Sequence, residues 1–65
     1  MTRFKEGICV VIDGYNKVYE VETENGDGFV AISVDGMNKV IAIYGIDTIR
    51  YATDKEESTG FKEVD

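Results

Sequence analysis

The chain has 65 residues and a net charge of −6, from 13 acidic and 7 basic side chains, with one cysteine and no histidine. A chain this short forms one domain, and it buries only about 60% of the surface its unfolded form exposes. The single thiol excludes an intrachain disulfide, a lone Cys without His excludes a structural zinc site, and the acidic balance excludes a simple phosphate-neutralising coat on DNA or RNA. No apolar run nears the ~20 residues needed to cross a bilayer. The opening MTRFKEGICVVIDG lacks the length and cleavage site of a signal peptide, and a lone free thiol fits a reducing compartment. The expectation is a cytoplasmic protein that self-associates to supplement a small core.

Proline is absent, and Asp13-Gly14, Asn25-Gly26, Asp27-Gly28 and Asp35-Gly36 lie between β-branched and aromatic segments. That spacing predicts hairpins in an all-β domain. The first predicted strand covers about 4–12, with Ile8, Val10 and Ile12 on one face. It ends at a D-G-x-N-K-V stretch, Asp13 to Val18, which recurs at Asp35 to Val40. With Gly14 and Tyr15 at the centre of a type II′ turn, Val10 falls opposite Tyr19 and Ile8 opposite Val21. The second strand, about 17–24, alternates cleanly: Tyr19, Val21 and Thr23 inward, Glu20, Glu22 and Glu24 outward.

The connection Glu24 to Gly28 carries the Asn-Gly signal of a tight turn. Its acidic residues do not follow calcium-loop spacing, and no metal site is expected. The third and fourth strands, about 29–34 and 39–44, are predicted to reuse the first turn, with Gly36-Met37 at the tip. Ile32 then faces Ile41 and Val30 faces Ile43, and the inward set is Val30, Ile32, Val34, Ile41 and Ile43. The outward set, Phe29, Ala31, Val40, Ala42 and Tyr44, is also apolar. Contiguous exposed apolar surface marks an interface, so these five are the predicted oligomer contact; burial by sheet coiling or by the tail are the competing explanations.

Gly45 to Asp47 fits a single tight turn, and Thr48 to Ala52 reads as a fifth strand. The expected fold is a five-stranded antiparallel meander over residues 1–53, closed into a small Sm-like or SH3-like barrel so that no edge remains. Residues 54–65 form a short acidic tail. Thr53-Asp-Lys-Glu56 has the pattern of a capping box, but Gly60 limits a helix to about two turns, marginal in isolation. A frayed tail is expected, with Phe61 packing back as the alternative.

From Val10 to Ala52 the pattern resembles the Sm-like family, which includes the bacterial Hfq-type RNA chaperones. The stretches that carry the resemblance are V-I-D-G-Y (Val11 to Tyr15), F-V-A-I-S (Phe29 to Ser33) and V-I-A-I-Y-G-I-D-T-I-R-Y (Val40 to Tyr51). The resemblance implies rings in which the fourth strand of one copy pairs with the fifth of the next, and RNA binding on the ring surface. The chain departs from the family in lacking an N-terminal helix and the R-G pair of the second motif. The uridine-binding Y-K-H stretch falls on Tyr44-Gly45-Ile46, where only the tyrosine matches.

Catalysis finds little support. Without histidine a general base must be a carboxylate, lysine, tyrosine or Cys9, and Cys9 sits in an apolar strand with no thiolate-stabilising neighbour. The one G-x-G, Gly26-Asp27-Gly28, does not lead into a helix. No enzyme activity and no cofactor are expected. The expected function is a self-associating binding module. Its ligand end is formed by the hairpin tips, Tyr15, Asn16, Lys17, Met37, Asn38 and Lys39, where aromatic stacking and local positive charge suit single-stranded nucleic acid. Arg3, Lys5, Lys17, Lys39 and Arg50 are the candidate basic positions. The alternatives are an acidic adaptor or inhibitor whose Glu20-Glu22-Glu24 ladder and Asp27 meet a basic protein partner, and a self-assembling structural subunit. A solvated face that blunts aggregation is the plainer reading of the ladder.

Overall fold

A computed structural model describes residues 4–63 of the chain. Arg3 and the last two residues of the tail lie outside this range. Five strands form: β1 (Cys9–Ile12), β2 (Val18–Glu24), β3 (Gly28–Ser33), β4 (Lys39–Ile43) and β5 (Ile49–Tyr51). One helix follows, α1 (Asp54–Thr59). The strands make one antiparallel sheet in the order β4-β3-β2-β1-β5. β4 and β5 are its two edges, so the sheet is open where a closed barrel was expected. Phe4 spans the gap with its side chain: its ring lies 5.8 Å from Phe29, 6.2 Å from Tyr44 and 5.1 Å from Tyr51. Phe4, Val10, Ile12, Tyr19, Val21, Phe29, Ala31 and Ala42 form the buried core, with Ile8, Val40, Tyr44 and Ile49 packed against it.

The first hairpin keeps the expected register, Val10 opposite Tyr19. The facing of β3 and β4 is the reverse of the expected one. Val21 pairs with Ala31, but Thr23 pairs with Val30, so Glu22 is an extra residue in β2 with no counterpart in β3. Side chains alternate with period two, and one inserted residue exchanges the faces of everything beyond it. Phe29, Ala31 and Ala42 therefore turn inward, and Val30, Ile32, Ile41 and Ile43 turn outward. Full burial of one such side chain contributes about 1.5–3 kcal/mol, and Phe29 is 0% exposed. Gly28 lets β3 and β4 approach closely at their shared end: a side chain there would overlap the Ala42 carbonyl oxygen.

The two D-G-x-N-K-V copies build different turns. In the first, the Tyr15 N–H donates to the Ile12 carbonyl at 3.0 Å, which centres the turn on Asp13-Gly14 with Gly14 at φ 92°. In the second, the Gly36 N–H donates to the Ser33 carbonyl at 2.7 Å and the Ser33 N–H to the Asn38 carbonyl at 2.8 Å. That turn is centred on Val34-Asp35, and it sets Val30 opposite Ile41 and Ile32 opposite Lys39, two residues from the expected register. The cause lies two residues before each aspartate. Ser33 donates its hydroxyl to the Asp35 carboxylate, which also accepts from the Met37 N–H and from Lys17. The equivalent residue in the first copy is Val11, which has nothing to donate, and the Asp13 carboxylate instead lies 3.6 Å from Lys62 Nζ.

Where a frayed tail was expected, the described part of the tail forms α1 and a bridge from Phe61 to Lys17. Thr53 and Glu56 complete the capping box: the Thr53 Oγ1 accepts from the Glu56 N–H, and the Glu56 carboxylate accepts from the Thr53 N–H. A six-residue helix is marginal alone, and its anchor is the Glu56 side chain, 0% exposed. That carboxylate takes two 2.8 Å bonds from the Arg50 guanidinium on β5 and one of 2.7 Å from the Glu63 N–H. Beyond Gly60, at φ 81°, the chain runs beside the start of β2, with Val18 donating to the Gly60 carbonyl and Lys62 to that of Asn16.

The Arg50 guanidinium, together with the Thr53 and Glu63 amides, holds the Glu56 carboxyl well below the usual carboxylate range. A depressed folded pKa contributes stability that is complete above the unfolded value, about 4.3, and is lost as pH falls toward the folded value. Glu56→Gln is expected to lower stability by about 1–3 kcal/mol in urea denaturation at neutral pH, because the amide cannot accept from all four donors. Its melting temperature should also fall less than that of wild type between pH 6 and pH 3.

Candidate functional site

The predicted oligomer contact lies in the interior. Phe29, Ala31 and Ala42 are buried, and Val40 and Tyr44 pack against the core. The Tyr44 hydroxyl donates to Glu24 at 3.1 Å, and its ring lies 6.1 Å from that of Phe29. Phe29, Ala31 and Ala42 present no apolar surface of their own, and Val40 and Tyr44 are half-buried. Glu24 shares their face because it lies beyond the inserted Glu22, so the outward glutamate ladder is reduced to Glu20 and Glu22.

The predicted ligand end is assembled only in part. Lys17 reaches across to Asp35 at 2.8 Å and so ties the first turn to the second. Tyr15 packs edge-on to Tyr19, with ring centroids 5.8 Å apart. The Asn16 carbonyl accepts from Lys62, the Asn38 N–H donates to the Ser33 hydroxyl, and Met37 is exposed. Lys39 lies 3.8 Å from Glu22. The three bonds to Asp35 hold its carboxyl well below the usual range, so it stays charged and keeps Lys17 neutralised at any physiological pH. Lys17, Lys39, Arg50, Lys55 and Lys62 all stand 2.8–3.8 Å from a carboxylate. A nucleic-acid surface needs cations free to replace counterions, and this pairing works against one.

Cys9 is half-buried. Burial pushes its thiol pKa up, and Glu57 and Glu20 raise it further. Such a thiol carries little thiolate at neutral pH, the opposite of an activated nucleophile.

A different surface emerges on the outer face of the sheet. Its β1 and β5 half is covered: Val11 and Val18 are buried there, Arg50 holds Glu56 of α1, and Val18 bonds Gly60. The β3 and β4 half is bare. Val30 and Ile32 are half-buried, Val34 and Ile43 are each 43% exposed, and Ile41 is 70% exposed. Met37 and Ile46, in the turns flanking β4, are more exposed still. Glu20 sits directly across from Ile32, which sits across from Lys39. A shallow groove runs beside this row, lined by Glu20, Glu22, Ile32, Val34 and Gly36. These aliphatic residues were expected inside; alternation alone does not reveal their exposure, because both faces of β3 and β4 are apolar.

Comparison of the chain with protein-family models, with curated proteins and with solved structures finds no match. The site therefore stands on its own geometry.

Two substitutions test which face is the core. Phe29→Ala is expected to cost about 3–5 kcal/mol, comparable to the whole stability of a domain this small. Ile41→Lys should cost less than about 1 kcal/mol. Thermal melts followed by circular dichroism distinguish them, and the opposite ranking would reverse the facing described here.

Proposed function

We propose that the protein is a small non-enzymatic binding module that docks a basic protein partner on the bare outer face of β3 and β4. The observation that carries this reading is the exposure of Val30, Ile32, Val34, Ile41 and Ile43 on the half of a sheet face that α1 leaves uncovered. Contiguous exposed aliphatic surface is costly to maintain in water and marks an interaction site. Glu20 and Glu22 border it, and the chain carries a net charge of −6. Opposite charge on the partner would speed encounter and disfavour pairing between two copies of this acidic face. Carboxylate pairing of Lys17, Lys39, Lys55 and Lys62 and the raised thiol pKa of Cys9 support a protein ligand over nucleic acid or catalysis.

A second reading keeps the Sm-like resemblance. The strand order leaves β4 and β5 as the two open edges, the two strands that such rings join between copies. Barrel closure would then be completed by a neighbour. A discrete closed oligomer, seen by light scattering after size exclusion at two protein concentrations, would favour it; a monomer at both would remove it.

The docking reading is tested with a partner recovered from lysate and then purified. The partner is expected to be basic and to bind in a salt-sensitive manner. Ile41→Lys combined with Ile43→Lys should weaken binding at least tenfold, while labelled oligo-U and oligo-A should not bind at low salt. Equal affinity for wild type and the double variant would sink the reading.

A further inference from the structure

We infer that two copies of the chain join along β4, antiparallel about a twofold axis at Val40, so that Lys39 of each copy bonds Ile41 of the other. Such pairing uses the edge of the sheet and leaves its outer face free, so it stands apart from the docking reading.

The edge is defined by which backbone groups face β3. The Ser33 N–H donates to the Asn38 carbonyl, and the Tyr44 N–H donates to the Asp27 carbonyl. Residues 38 and 44 therefore point their backbone groups toward β3, and by the antiparallel period of two so do Val40 and Ala42. Met37, Lys39, Ile41 and Ile43 point theirs away. The two outer members of that set are already engaged. The Ile43 N–H donates to the Asp47 carboxylate at 2.8 Å, and its carbonyl accepts from the Ile46 and Asp47 amides. The Met37 N–H donates to the Asp35 carboxylate at 2.9 Å. Among the described residues no hydrogen bond engages the outward N–H and C=O of Lys39 or Ile41.

This pattern is symmetric about Val40, and the symmetry selects a second copy. The open residues Lys39 and Ile41 flank Val40 directly, and the closed residues Met37 and Ile43 lie equally far beyond them. Turning β4 over about Val40 sets open against open and closed against closed. Lys39 and the partner's Ile41 then exchange both N–H···O bonds, as directly opposed antiparallel residues do, and the second half of the contact repeats the first. An axis at Ile41 would set Lys39 against the capped Ile43. An axis at Lys39 would set lysine against lysine and Ile41 against Met37. A segment of another protein needs no such symmetry in the edge that receives it. The β5 edge is a poorer match, since its outward Tyr51 carbonyl accepts from Arg50.

The side chains agree with this register. Lys39 and Ile41 share the outer face, with Ile32 and Val30 beside them on β3. In the dimer each Ile41, 70% exposed in one copy, lies against the methylene stem of the partner's Lys39, whose ammonium stays near Glu22. Met37, also exposed, is carried toward the partner's Ile43. Opposed residues of an antiparallel pair share a face, so the two bare outer faces become one continuous apolar surface. Glu20 and Glu22 lie on β2, two strands in from the joined edge, and the acidic borders do not meet. A contact with two bonded residues per copy is smaller than a standard interface, so the dimer is weak and depends on concentration.

Sedimentation equilibrium from micromolar to millimolar protein is expected to show monomer passing to dimer and no further. Over the same range, amide exchange at Lys39 and Ile41 should slow at least fivefold by NMR. Exchange at Val40 and Ala42, which bond β3 in either state, should stay unchanged. Ile41→Pro removes the outward N–H without touching the bonds to β3, a position an edge strand accepts. It should weaken the dimer at least tenfold, since one bond is lost in each half. Charge tests the register, and does so even where the proline variant fails to fold. Ile41→Glu sets a carboxylate against the partner's Lys39, whereas Ile41→Lys sets two ammonium groups together. The glutamate variant should dimerise at least fivefold more tightly than the lysine variant, the reverse of what the acidic net charge alone would give. A monomer throughout, or a dimer without protection at Lys39 and Ile41, overturns the inference and leaves the docking reading standing. Closed rings of more copies overturn it in favour of β4–β5 pairing. Equal dimerisation of the two charge variants, or a tighter lysine variant, overturns the Val40 register.

Discussion

The extra residue at Glu22 governs the molecule. Without it, the register of the first hairpin would carry straight through β3 and β4, and Ile41 and Ile43 would share a face with Val10 and Tyr19. With it, Phe29 and Ala42 take those places. The core gains an aromatic ring that Phe4, Tyr44 and, through Phe4, Tyr51 can gather around. Phe4 packs between Tyr44, which follows β4, and Tyr51 of β5, so a sheet with two open edges still has a buried core. The same exchange turns a row of aliphatic residues to the outside. Core and candidate surface are two consequences of one insertion, and neither can be altered independently of the other.

What happens to the outer face is decided next by α1. Six residues would not hold a helix in water. Glu56 makes the difference by serving the capping box, Arg50 and Glu63 together. That carboxylate is buried but fully satisfied, which is the condition under which a buried charge does not destabilise. By tying α1 to Arg50 of β5, it holds the tail at that side of the sheet, where Val11 and Val18 are buried. Arg50 belongs to β5, so the cover cannot slide toward β3. The uncovered half of the face thus follows from the side of the sheet on which Arg50 holds Glu56.

Much of this was legible in the residues. The alternation of Tyr19-Glu20-Val21 and the Asp-Gly signal place the first hairpin correctly, and Thr53 with Glu56 announces the cap. The Gly and Asn positions mark the neighbourhood of the turns, but the centres fall on Asp13-Gly14 and Val34-Asp35 where Gly14-Tyr15 and Gly36-Met37 were expected. The facing of β3 and β4 was not legible, because F-V-A-I-S and V-I-A-I-Y are apolar at every position but one and supply no polar residue to mark the outside. A bulge has no composition signal of its own; Glu22 looks like one more member of a glutamate ladder. Nor does a repeated heptad guarantee a repeated turn. The deciding atom is the Ser33 hydroxyl, outside the repeat. Lys17 and Lys39 were read as a shared basic spot, but each has a carboxylate neighbour that only the tertiary arrangement brings near.

An exposed aliphatic edge strand is a hazard as well as an opportunity, since it templates uncontrolled pairing. The chain limits that hazard locally. Asp47 folds back to take the Ile43 amide, which removes the end of β4 from pairing, and Lys39 places a charge at the other end. At the opposite edge β5 is only three residues long, with Arg50 donating to the Tyr51 carbonyl at 3.2 Å. These devices blunt both edges, yet they leave Ile41 and its backbone open between them. Protection that stops short of one apolar residue is hard to reconcile with an edge meant only to be hidden.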